Sequence, residues 1–167
     1  MQAESDGEDV WASYGRTVVE IAWPGGGSLS VRSAPEPDVA GWPWPTAEPV
    51  HILTAWDPGP ERPGPELNRR RQAALEADLR LLAVPLLAAA GVDPATGRRE
   101  EGVAVCGDTE SAILALGGRY GQDAIFAWTP AEWAIVACQG GRRLSSGWAL
   151  VDPQPGFPFR PAPDAPI

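Results

Sequence analysis

The chain has 167 residues and a formal net charge of −9, a length that suits one domain with a real core. That acidity excludes the basic stripe that meets nucleic-acid phosphates. No charged start leads into an apolar stretch, and no apolar run approaches the ~20 residues of a membrane span, so a soluble, cytoplasmic domain without nucleic acid or membrane partners is expected.

Residues 1–10 read as a disordered start, with Glu4, Asp6, Glu8 and Asp9 and almost nothing to bury. A single domain is expected over 11–151. It opens with the hairpin RTVVEIAW, PGGGS, LSVRS, in which β-branched residues alternate on either side of a glycine turn. GWPWP at 41–45 cannot continue a sheet, since its prolines remove ladder donors, so Trp42 and Trp44 are expected to lie as lids on an apolar surface.

PVHILTAW predicts a buried strand. PELNRRRQAALEADLRLLA then predicts a helix, with Pro65 in its first turn and Leu67, Leu75, Leu79 and Leu82 on one face. VPLLAAAG and GVAVCG read as strands joined by the turn VDPATGRRE. Asp108 is placed to cap the helix TESAILAL, which Gly117-Gly118 is expected to end. DAIFAWT and WAIVACQ form a hairpin, GWALV a last edge strand, and DPQPGFPFRPAPDAPI over 152–167 a Pro-rich tail.

From residue 50 this order is β-α-β-β-α-β. The expected fold class is therefore α+β, a ferredoxin-like core whose sheet is extended by the N-terminal and C-terminal hairpins, with two helices on one face. Cys106 and Cys138 lie in apolar runs without metal or redox spacing and read as unpaired, buried thiols. Every basic residue is arginine, which with the heavy Ala, Gly and Pro usage reads as codon bias of a GC-rich bacterial genome.

ILTAWDP, the Asn-led helix NRRRQAALEADLR, EEGVAVCG and RYGQDAIFAW together resemble the small bacterial family known only as domain of unknown function 3293, over about residues 14–138. The resemblance implies a shared fold and a shared polar set of Thr54, Asp57, Pro58, Asn68, Arg71, Glu100 and Gln122. It carries no established activity. In that family the first motif more usually reads T-A-(W/Y)-N-P, so Asp57 stands where asparagine is typical, and a carboxylate differs from a carboxamide as acid, base or donor.

Asn68, Arg71, Leu75 and Leu79 fall at i, i+3, i+7 and i+11, so two polar side chains share the leucine face of the helix. They should converge on Thr54 and Asp57 beside the helix N-terminus. In one reading an Asp57–Arg71 ion pair and Asn68 simply fix the strand-to-helix loop. In the other, Arg71 and the helix N-terminus hold a small anion that Asp57 and Thr54 orient. His51, Glu100 and Gln122 are placed as a second polar group at the opposite end of the sheet.

No G-x-S-x-G, phosphate loop or His/carboxylate metal spacing occurs, so no cofactor and no metal are expected. The functional expectation is a binding or interaction module for a small anionic ligand or a protein partner. Its alternative is a small-molecule enzyme using Asp57 or Glu100 as general acid or base with Arg71 orienting an anionic substrate. Oligomeric state is not written in the sequence.

Overall fold

Alternation in VVEIA builds the first wall: Val19 and Ile21 are fully buried, whereas Val18 and Glu20 on the other face are only partly so. The structure, a computed structural model, describes residues 10–24, 26–58, 62–107 and 109–151. The Pro-rich tail and, apart from Val10, the acidic start lie outside the described residues.

In chain order the elements are helix α1 (10–16), β1 (Val18–Ala22), β2 (Ser28–Ala34), a 3-10 turn (Val39–Gly41), β3 (Val50–Leu53), α2 (Pro65–Arg80), β4 (Leu86–Val92), β5 (Arg99–Cys106), α3 (Glu110–Arg119), β6 (Ala124–Thr129), β7 (Glu132–Ala137) and β8 (Arg143–Leu150). The strands form a closed barrel in the order β1-β2-β8-β7-β6-β3-β5-β4, with β4 returning to β1. Every neighbouring pair is antiparallel.

This corrects the expected α+β, ferredoxin-like fold. From Val50 the elements do run strand, helix, strand, strand, helix, strand, but their strands are one arc of a barrel. The hairpins expected to extend a sheet close it instead, through Val18↔Val92 to Ile21↔Ala89 between β1 and β4. GWALV is no edge: β8 begins at Arg143 and pairs with both β7 and β2. Twist brings the ends of such a sheet together, and closure satisfies the backbone donors and acceptors that two edge strands would leave unpaired.

The core has two layers. Inside the barrel lie Val19, Ile21, Leu29, Val31, Ile52 and Phe126, together with a group of tryptophans. Trp128, fully buried, sits 5.0 Å from Trp42, 5.2 Å from Trp148 and 6.1 Å from Trp133, ring centre to ring centre. Trp42 and Trp44 are half-buried on this cluster, at the end where β3 begins and β6 finishes. Trp42 donates its indole N–H to the Thr46 carbonyl at 2.8 Å. The outer layer, Leu53, Val103, Val105, Ile125 and Val136, packs against Leu75 and Leu79 of α2 and Ile113 of α3. Burial on both sides explains why β3 and β6 read as continuous apolar runs rather than alternating ones.

Helix α2 starts at Pro65 after Gly64, whose φ of 89° a side chain would resist. Its buried face is Asn68, Gln72, Leu75 and Leu79. Leu67, expected on that face, is 48% exposed, because eight residues before Leu75 is about 80° away around the helix. Helix α3 runs through Gly117-Gly118 to Arg119 instead of stopping there. Gly117 serves close approach: a Cβ on it would meet Cys138 Sγ at 2.7 Å and Ile125 at 3.3 Å. Asp108, the expected cap, lies outside the described residues. Cys106 and Cys138 are unpaired and partly rather than fully buried. Burial pushes both thiols up to about 11.

Helix α1 was not legible in the sequence. It covers the barrel end opposite the tryptophans, where Tyr14 packs 5.5 Å from Phe126 and donates its hydroxyl to the Ala124 carbonyl at 3.2 Å. No helix among the described residues is long and apolar enough to cross a membrane.

Candidate functional site

Antiparallel pairing decides which residues meet. Leu53 at the end of β3 pairs with Val103, and Ile52 pairs with Phe126. The end of β3 therefore lies beside the beginnings of both β5 and β6. Thr54 and Asp57, which follow β3, come to the same barrel mouth as Glu100 and Gln122. The expectation of two polar groups at opposite ends does not hold for these four residues.

Together they line a cavity of about 250 Å³. Its floor is apolar, made by Val19, Ile52 and Phe126, and Tyr14 of α1 forms one side. Arg98, Asp93, Asp123 and Arg62 add charge to the wall and rim. A second groove, of about 400 Å³, shares Val10, Gln122 and Asp123 with it.

Asp57 is the best-held residue of the wall. Its backbone turns left-handed, with φ 43°, a conformation that Asn and Asp tolerate better than most side chains. Asn68, buried in the first turn of α2, grips it twice: Oδ1 accepts from the Asp57 N–H and Nδ2 donates to Asp57 Oδ1, both at 3.0 Å. The other Asp57 oxygen accepts a short hydrogen bond from Arg98, which also bridges to Glu100 Oε1 at 2.7 Å. One guanidinium thus joins two carboxylates.

The two carboxylates respond in opposite directions. Burial pushes the Asp57 carboxyl up, but hydrogen bonds from Asn68 and Arg98 and the Arg98 charge outweigh it and hold the group below its ordinary range. For Glu100 burial also raises the pKa, the Asp57 charge adds to it, and the arginines offset only part, so Glu100 ends above its ordinary range. Tyr14 is raised by burial first and then by the charges of Asp123 and Glu100.

Thr54 and Gln122 shape the frame. Thr54 Oγ1 donates to the Glu101 carbonyl at 2.5 Å and accepts from Trp56 N–H at 3.0 Å, which extends the β3–β5 contact past the end of the strand. Gln122 is buried and donates to the Trp56 carbonyl at 2.8 Å. Gln72, absent from the expected set, accepts from the Ala55 N–H at 3.0 Å.

Arg71 does not pair with Asp57. Its Nε donates to the Ala55 carbonyl at 3.1 Å and its terminal nitrogen to the Tyr120 carbonyl, so it ties the strand-to-helix loop to the end of α3. Among the described residues it makes no ion pair, and it is not part of the cavity lining. His51 stands apart as well. It is fully buried under α3, its Nε2 lies 3.2 Å from Glu110 Oε2, and its Nδ1 has no partner among the described residues. Glu110 is shared with Arg143 at 3.1 Å.

Arg98 and Tyr14 were missed. In RREE at 98–101 the signal was the period of two: Arg98 and Glu100 face the mouth, whereas Arg99 pairs with Glu20 and Glu101. No group of three or more His, Cys, Asp or Glu among the described residues is placed to hold a metal ion. Chemically, the mouth offers an apolar seat, hydrogen-bond acceptors and one carboxyl, Glu100, whose pKa burial raises above the ordinary range.

The model of a family described as Protein of unknown function (DUF3293) matches residues 53–125, a shorter span than the 14–138 expected. No curated protein matches the chain, and no solved structure does.

Proposed function

We propose that this chain, which belongs to the DUF3293 family, is a binding module that seats a small molecule in the mouth of its barrel. The observation that carries this reading is the apolar-floored cavity whose wall is the Asp57–Arg98–Glu100 bridge. Eight-stranded barrels either fill their interior with side chains or hold one small ligand. Here the tryptophans fill one end, and the space is confined to the other.

The anion-binding version loses support, since Arg71 is committed to two carbonyls and Arg98 to two carboxylates. A fragment screen followed by amide chemical shifts tests the proposal. Hits should perturb Thr54, Glu100, Gly102 and Ala124 together. Hits that map elsewhere on the barrel, or none at millimolar concentration, would remove it.

A second reading, a small-molecule enzyme, is favoured by one observation: the opposed shifts of Asp57 and Glu100 across Arg98. Opposed shifts are what separate a proton donor from a carboxylate that stays charged. In that case Glu100→Gln would retain ligand and lose turnover, whereas a pure binding module would show no turnover in either protein.

A further inference from the structure

We infer that the ligand of the mouth cavity is a small organic cation, an amine carried on an apolar body. This deepens the binding reading above and rests on it. Four carboxylates, Asp57, Asp93, Glu100 and Asp123, face the cavity, against the two guanidiniums of Arg62 and Arg98. The inner cation is already committed, since Arg98 lies between Asp57 and Glu100. Asp123 accepts no side-chain hydrogen bond among the described residues, and only one Glu100 oxygen is bridged.

Tyr14 lines the same cavity against Phe126, with its hydroxyl donated to the Ala124 carbonyl, and after burial the charges of Asp123 and Glu100 raise its pKa further. An ammonium group beside Glu100 and Asp123 would gain charge-assisted hydrogen bonds, and Tyr14 and Phe126 would cover the body attached to it. Burial holds Glu100 above its ordinary pKa, and the charges of Arg98 and Arg62 offset only part of that cost. A carboxylate ligand would meet the same excess as repulsion.

The test uses three probes of one shape, phenethylamine, 2-phenylethanol and phenylacetate, titrated into the labelled full chain at low salt and neutral pH. The amine should shift the amides of Glu100, Gly102 and Ala124 saturably and at the lowest concentration, with phenylacetate weakest. Asp123→Asn, at an exposed position, should weaken the amine about tenfold, the loss of one charge-assisted hydrogen bond, and leave the alcohol unchanged. Glu100→Gln should act in the same direction. If the alcohol or phenylacetate binds as tightly as the amine, or if both variants keep wild-type amine affinity, the cationic class is overturned while the cavity reading stands. If no probe moves the cavity amides, the cavity reading itself falls.

Discussion

Asp57 carries two separable jobs, a left-handed turn and a charge facing Arg98. Asparagine, the usual residue in the family that the sequence resembles, keeps the first and gives up the second. Asp57→Asn should therefore cost about 1 kcal/mol, the scale of one charge-assisted contact at a partly exposed partner. Asp57→Ala also loses the Asn68 bond and puts a β-carbon without polar compensation in a left-handed turn, and should cost about 2–3 kcal/mol. Urea denaturation of the two variants checks this; equal losses would mean that the charge is idle. Acidity separates Asp57 from Glu100. The depressed Asp57 group contributes stability present above its unfolded pKa of about 3.9, lost as pH falls through the lower folded value. The raised Glu100 group contributes stability present below about pH 4.3 and lost as pH rises through its folded value. The melting temperature of wild type minus that of Glu100→Gln should therefore become more positive as pH is lowered from 7 through the raised folded value towards about pH 4.3. A flat or opposite trend would contradict the desolvated environment of Glu100. Little of this was legible in advance, because Arg98, the partner of Asp57, lies 41 positions away just before β5 and no local pattern names it.

Individual elements were easier to read than their assembly. Pro65 marked the start of α2 and alternation marked β1, since both are local properties. Gly117 shows where local reasoning misleads: a glycine pair near a helix end suggests a stop, yet the helix continues because Gly117 lies against Cys138 and Ile125. Alanine is the better helix former, but Gly117→Ala should destabilise by about 1–3 kcal/mol through overpacking. Cys138→Ala in the same chain should recover part of that loss, measurable as a coupling in a double-mutant cycle. Additive effects would show that the sulfur is not the obstacle. Strand placement failed in a similar way. Glu100 was assigned to the wrong end because strand direction, unlike strand existence, depends on which neighbour each strand finds.

At the scale of the whole molecule, closure is the property that the sequence hid. Ala89, Ala90 and Gly91 carry no pattern that selects β1 as a partner, yet that pairing seals the barrel. The matched span 53–125 begins at the last residue of β3 and stops at the second residue of β6, so it omits β1, β2, β7 and β8 entirely. A fragment cut to those limits would expose the inner apolar face and two unpaired edges. It should show no cooperative thermal transition and should aggregate, whereas a chain spanning 10–151 should melt in one step. A monomeric, cooperatively folding 53–125 fragment would show that the barrel is dispensable to its own core.

The tryptophans at the far end of the barrel have an optical consequence. Trp42, Trp128 and Trp148 have ring centres 5.0–5.9 Å apart, close enough for their excited states to mix. The native protein should therefore show an exciton couplet in circular dichroism and quenched emission, and both signals depend on ring geometry rather than on backbone hydrogen bonding. They should vanish in any state whose strands persist while its interior loosens. No tryptophan lines the opposite mouth, so a ligand seated there should leave this signal unchanged, and the molecule carries a built-in reporter of its packing that is blind to its cargo.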